Sequence, residues 1–243
     1  MSATAGALRL GLLGKLPAHG DFIRRGSLPA GFCAAWDAWL QDGFAAARAA
    51  IGEERWAAVW DAAPAWRFAL PPGACGPDAA AGVMLPSRDA VGRRYPLTLA
   101  AVREEPFVAW PAAWFAALEG VARTAFVSGQ DADAVAALLP GPDVPSAGMP
   151  ATDAPAADPL AAFWASIAAE NDLEHAAAGA ETTEPAGVEG TSPPAPDAAM
   201  IEGDSASPGW WTAAAADGTP GLVWPLPALP AAEEFVLLLE AEA

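Results

Sequence analysis

No lysine or arginine follows Arg123. The residues up to that point hold all 12 positive charges against 11 negative ones, and the stretch from Thr124 to Ala243 carries 19 acidic residues and no basic one. Such a split marks an acidic tail or a solvated insertion rather than a second charge-balanced body. Composition locates it. Prolines 140, 142, 145, 150, 155 and 159 punctuate one stretch, and residues 176–208 run through Ala, Glu, Thr, Gly, Ser and Pro with almost no large apolar side chain. Neither stretch buries enough apolar surface to offset its ordering entropy. Between them, Asp158-Pro159 is a helix start. Leu160, Phe163, Trp164 and Ile167 then share one helical face, which needs a surface to dock on.

The N-terminal half is denser. Leu8, Leu10 and Leu12 alternate with Arg9 and Gly11 as a strand does, and residues 15–26 read as a loop. Ser27 is placed to cap a long helix with Pro29 near its start. Phe32, Trp36, Leu40 and Phe44 recur along that helix every four residues. A second helix spans 53–62. Strands follow at 66–70, 80–85 and 95–102, with turn chemistry at 71–78 and a polar loop over 86–94. Residues 110–127 form an amphipathic helix, and a short helix carries Val135 and Leu138. Trp210-Trp211-Thr212 and Leu222-Val223-Trp224 flank Asp217-Gly218 as a hairpin, and a last helix holds Phe235, Leu238 and Leu239. This order predicts an α/β fold with helices packed on a mixed, largely antiparallel sheet. The expected organisation is a core over 1–139, an acidic Pro-rich loop over 140–157, a helix over 158–175 and an acidic disordered loop over 176–208. Residues 209–243 are expected to return as a hairpin and helix completing the same domain.

Net charge of −18 argues against nucleic acid as a partner. No stretch reaches the roughly 18–20 apolar residues of a membrane span. Met1 to Leu13 makes a poor signal peptide, because its charges lie within and after the apolar run. The expectation is a cytoplasmic protein without membrane insertion. Two cysteines and two histidines make neither a disulfide framework nor a metal centre, and no metal or cofactor is predicted. Cys33 falls on the apolar helix face. Cys75 sits in a Gly-Pro turn, a place open to exposure and oxidation, but nothing marks it as activated.

Gly11 to Lys15 after a strand invites comparison with a phosphate loop, but Arg9 stands where the first glycine belongs and Leu16 where the hydroxyl belongs. No catalytic residues are assigned. An enzyme binding phosphate or nucleotide through Lys15, His19 and Asp21 is the alternative reading. The basic pairs Arg24-Arg25 and Arg93-Arg94, with Arg88 beside the second, can recognise an acidic partner. They can equally bridge internally to Asp21, Asp89 or the acidic insertion. Lys15, His19, Asp21, Arg24, Arg25, Arg88, Asp89, Arg93 and Arg94 are therefore the candidate partner-binding residues, on the loops 15–26 and 86–96. Charge reversal at Arg93 and Arg94 is expected to weaken partner capture with little change in thermal unfolding.

The run from Gly14-Lys15-Leu16-Pro17 through His19-Gly20-Asp21-Phe22-Ile23-Arg24-Arg25 resembles the opening signature of the TagF (ImpM) family of type VI secretion-associated proteins. The resemblance continues in Trp36-Asp37-Ala38-Trp39-Leu40, Pro64-Ala65-Trp66-Arg67-Phe68, Gly82 through Asp89, Val91-Gly92-Arg93-Arg94-Tyr95-Pro96-Leu97, and Trp210-Trp211-Thr212. It covers residues 8–126 almost fully and is patchy afterwards. It implies a three-layer α-β-α sandwich. It also implies a cytoplasmic, non-enzymatic regulator that represses secretion post-translationally by protein-protein binding. Its partners would be type VI secretion components, among them a forkhead-associated scaffold protein in some members.

Overall fold

Alternating side chains send Leu12 and Leu13, Ala81 and Ala80, and Ala69 and Phe68 to opposite faces of one sheet, and each face is covered by helices. The computed structural model describes residues 8–104, 110–141, 207–213 and 221–241. Its sheet has seven strands in the order β2-β1-β5-β4-β3-β6-β7. They are β1 (Leu8–Gly14), β2 (Ile23–Gly26), β3 (Trp66–Leu70), β4 (Ala79–Leu85), β5 (Leu97–Arg103), β6 (Gly209–Trp211) and β7 (Val223–Trp224). Every pairing is antiparallel. The central strand β4 is buried along its whole length, as a strand covered on both faces must be.

One face carries α1 (Ala30–Ile51), α2 (Glu53–Ala62) and α5 (Phe235–Glu240), the last entered through a 3-10 turn at Ala232–Glu234. The other carries α3 (Ala112–Ser128) and α4 (Ala132–Ala137). The three layers are those the family resemblance implies. Phe32, Trp36 and Leu40 of the helical stripe are buried, with Phe44 half-buried beside them. Gly43 leaves the room α5 needs: a Cβ there would lie 2.5 Å from the Phe235 ring. Buried indoles seek acceptors for their N–H groups. Trp39, Trp66 and Trp210 find theirs on the carbonyls of Pro230, Leu238 and Ala228, at 2.8, 2.8 and 2.9 Å. The C-terminal segment is thus held by polar as well as apolar contacts, and β6 pairs with β3.

Several boundaries differ from the sequence expectation. Residues 23–26 are not loop but the edge strand β2, a short element in which only Ile23 is buried. Ser27 does not cap α1. Its N–H and hydroxyl both donate to the Leu10 carbonyl, at 2.7 and 3.2 Å, closing the β1-β2 hairpin, while α1 starts after Pro29 with no side-chain cap. β5 begins at Leu97 because Pro96 brings no N–H to the ladder. α3 begins at Ala112, with Trp110 just ahead of it stacked on Trp114 at 4.5 Å. Cys75 is buried, its Sγ 3.9 Å from the Phe32 carbonyl. Burial pushes its thiol up to about 12, with Cys33 adding to the rise. The expected loop and helix over 142–206 and the Asp217-Gly218 turn lie outside the described residues.

Candidate functional site

Pairing of β1 with β5 puts Gly14 opposite Leu97. The loop leaving β1 and the loop entering β5 therefore emerge side by side, and the two sequence-distant candidate segments meet. Asp89 holds them together. It is 3% exposed, yet its carboxylate takes four hydrogen bonds. Oδ2 accepts from Lys15 Nζ at 2.6 Å and from Arg93 Nε at 2.7 Å. Oδ1 accepts from the backbone N–H groups of Val91 and Arg93, at 3.1 and 2.9 Å. Gly92, at φ +84°, supplies the left-handed turn that folds these amides back onto the carboxylate. Burial alone would push the Asp89 carboxyl up. The bonds from Lys15, Arg93 and Val91 outweigh it and hold the group well below the usual carboxylate range.

Further bonds cross between the loops. Ser87 Oγ donates to the Lys15 carbonyl at 2.8 Å, Ala90 N–H to the His19 carbonyl at 2.8 Å, and the Arg93 guanidinium to the Gly20 carbonyl. The remaining candidates reach outward. His19 Nε2 accepts from Ala132 N–H at 2.9 Å, and Arg25 Nε donates to Asp133 at 2.7 Å, both on α4. Arg94 makes a two-pronged pair with Asp61 on α2, at 3.1 and 2.7 Å. That bond lowers the Asp61 carboxyl and raises the guanidinium. Arg24 donates to the Leu28 carbonyl at 2.8 Å. Asp21 and Arg88 are exposed and carry no ion pair among the described residues.

Arg93 and Arg94 thus belong to the framework. Reversing their charge would set carboxylates beside Asp89 and Asp61, so a lowered unfolding temperature replaces the neutral outcome expected from sequence. Lys15 and His19 make bonds that a phosphate-binding or proton-transfer role would have to break. Among the described residues no cluster of three or more His, Cys, Asp or Glu could hold a metal. No described helix is long and apolar enough to cross a membrane.

Sequence reasoning missed the aromatic part of the site. Tyr95 donates its hydroxyl to Asp37 Oδ1 at 2.5 Å, and Phe22 stands edge-on to the Tyr95 ring at 5.3 Å. Phe22 is 46% exposed and Val91 71% exposed. A large aromatic between Asp21 and Ile23, in a loop bounded by Gly20 and Gly26, was the available signal. Burial pushes the Tyr95 phenol well above its usual range, and its bond to the Asp37 carboxylate pushes it further. Tyr95 is the only tyrosine of the chain, so its titration can be followed without interference. The unfolded chain loses the phenolic proton first as pH rises, so this contribution to stability is complete below about pH 10 and declines above it. Phenolate absorbance is expected to appear together with alkaline unfolding. Reversible phenolate formation in the folded protein near pH 10 would contradict the buried geometry.

Residues 11–140 match the family described as TagF N-terminal domain, Type VI secretion system-associated. The chain belongs to the TagF family. It is accordingly a type VI secretion system-associated protein, and both clamped loops lie inside the matched region. Among solved structures, the crystal structure of PA0076 from Pseudomonas aeruginosa PAO1 is similar to this chain, with 27% sequence identity and a TM-score of 0.59. The alignment covers 96% of this chain and 95% of that one. No curated protein sequence matches significantly.

Proposed function

We propose that this chain is a cytoplasmic, non-enzymatic binding protein of the type VI secretion system that restrains secretion post-translationally. It does so by docking the joined loops 15–22 and 86–96 on another secretion component. A forkhead-associated scaffold protein is a candidate partner, as the family resemblance implies. The observation that carries the reading is the Asp89 clamp. It spends Lys15 and Arg93 on fixing two loops in one arrangement, and leaves Phe22, Arg88 and Val91 exposed on them. A preformed surface with apolar anchors and a cation without a carboxylate partner suits recognition, because little ordering entropy is lost on binding.

Arg88→Ala tests it. Arg88 makes no ion pair among the described residues and only adds to the lowering of the Asp61 carboxyl, so removing its charge without setting a carboxylate near Asp61 is expected to move the thermal midpoint by no more than about 2 °C. Raising the level of the wild-type chain in its own bacterium is expected to reduce type VI secretion, and the same level of the variant is expected to reduce it several-fold less. Secretion indifferent to the wild-type chain, or turnover of a substrate by the purified chain, would remove the reading.

A further inference from the structure

A cleft of about 350 Å³ lies beside the clamp, between β2 and the first two turns of α1. Pairing sets Arg24 opposite Leu13, so both face α1, whereas Ile23 and Arg25 face α3 and α4. The cleft therefore has Leu13 in its lining, Phe22 and Arg24 on the strand side, and Ala30, Ala34 and Asp37 along the helix. Its volume is at the small end of the roughly 300–1,000 Å³ of binding pockets, enough for a short stretch of side chains.

The charges in it are not equivalent. Asp37 is already occupied, accepting from Tyr95 at one oxygen and from Gln41 Nε2, at 2.7 Å, at the other. Arg24 is exposed, donates to the Leu28 carbonyl and lies beside the Cys33 thiol, which also lines the cleft, and it has no ion pair with a carboxylate among the described residues. Of the six basic side chains on residues 15–26 and 86–96, Lys15 and Arg93 pair with Asp89, Arg25 with Asp133 and Arg94 with Asp61, which leaves Arg24 and Arg88 as the cations without an ion pair among the described residues. β2 is also the outermost strand, paired only with β1 among the described residues. A segment lying in the cleft would run beside this outer strand, whose Arg24 carbonyl takes a bond from the Arg25 guanidinium at 3.0 Å.

We propose that this cleft takes an acidic, extended segment of a partner protein, with a carboxylate on Arg24 and a neighbouring apolar side chain against Leu13 and Phe22. A basic segment is disfavoured at Arg24, and a second carboxylate is disfavoured at the Asp37 end. The proposal rests on the binding-protein reading and specifies the partner's chemistry.

The probe is a displayed library of random peptides selected on the immobilised full chain. Enriched peptides are expected to pair Asp or Glu with an adjacent Leu, Ile, Met or Phe. A fluorescent synthetic copy is expected to bind at least about tenfold more weakly to Arg24→Glu, and more weakly as salt rises from about 50 to about 500 mM. Ala34→Glu places a carboxylate on the exposed helical wall without touching the Leu28 contact, and is expected to weaken the peptide comparably. Arg123→Glu, on the exposed side of α3, is expected to change nothing. Enrichment of basic or uncharged sequences, no enrichment, undiminished binding by both cleft variants, or self-association lost in them would each overturn the proposal. If Arg24→Glu still restrains secretion as the wild type does, the cleft is refuted while the binding-protein reading stands. If the wild-type chain has no effect on secretion, that reading falls whatever the peptides do.

Discussion

Asp89→Ala is expected to lower the thermal midpoint by about 10 °C and to free both loops of the candidate site at once. The Lys15 side chain is only 13% exposed, and the substitution leaves its ammonium without a counter-charge. Two backbone N–H groups, at Val91 and Arg93, lose their acceptor together. Asp89→Asn should be nearly as damaging. Its amide can serve the two backbone donors with its oxygen, but its NH2 then faces Lys15 and Arg93, donor against donors. The effect carries a pH signature. The folded carboxyl titrates below its unfolded counterpart, so the unfolded chain takes up the proton first as pH falls, and that uptake favours unfolding. The stabilisation is complete above about pH 4 and is lost progressively below it. Calorimetry should find a constant gap between wild type and Asp89→Asn from about pH 5 to about pH 8, narrowing in stronger acid. A gap that stays constant in acid, or unchanged amide exchange over 15–22 in the variant, would show that Asp89 does not hold the loops.

The clamp marks the boundary of what the residues alone disclose. Local patterns suffice where burial repeats at a fixed spacing. Phe32, Trp36 and Leu40 announce α1, and Trp66, Phe68 and Leu70 announce β3, because the core demands a period of 3.6 or of 2. The two arginine pairs, with Arg88 beside the second, admit both a partner and an internal bridge, and the structure shows which of them bridge internally. Arg25, Arg93 and Arg94 find Asp133, Asp89 and Asp61, whereas Arg24 and Arg88 find no carboxylate among the described residues. That division depends on partners up to 108 positions apart in sequence, brought together only by the β1-β5 pairing and by α4 packing near β2. β2 is illegible for a different reason. Four residues with two arginines and a glycine carry too little alternation, and the strand exists because β1 offers it an edge. Ser27 suits a helix cap or a hairpin end equally well by residue type, and the position of the Leu10 carbonyl decides.

The larger loss of stability is expected from Trp36→Ala. Trp36 is 0% exposed, and its ring lies within 6 Å, centroid to centroid, of Phe32, Trp39, Phe68 and Trp210. It thereby links α1, the sheet and the C-terminal strand β6 in one aromatic cluster. Truncation removes one of the three indoles of that cluster and leaves a cavity that rings fixed on three separate elements cannot close. The cost for such a site is about 3–5 kcal/mol. Against a total of roughly 5–15 kcal/mol for a folded domain, this corresponds to a fall of about 10–15 °C in Tm. Trp36→Phe separates packing from polarity. It keeps most of the ring contacts but removes the indole N–H that donates to Thr98 Oγ1 at 3.0 Å, a buried bond between α1 and β5. Loss of that bond leaves a buried hydroxyl short of a partner, at about 1–2 kcal/mol. The alanine variant should also loosen β6, because Trp210 loses its stacking partner while keeping its bond to Ala228. Chemical denaturation of the two variants, with amide exchange at Gly209–Trp211, measures both effects. If Trp36→Ala cost no more than Trp36→Phe, the hydrogen bond rather than the ring cluster would be what Trp36 contributes. The junction between the C-terminal strand and the N-terminal helix would then have to be sought in Trp39 and its bond to Pro230.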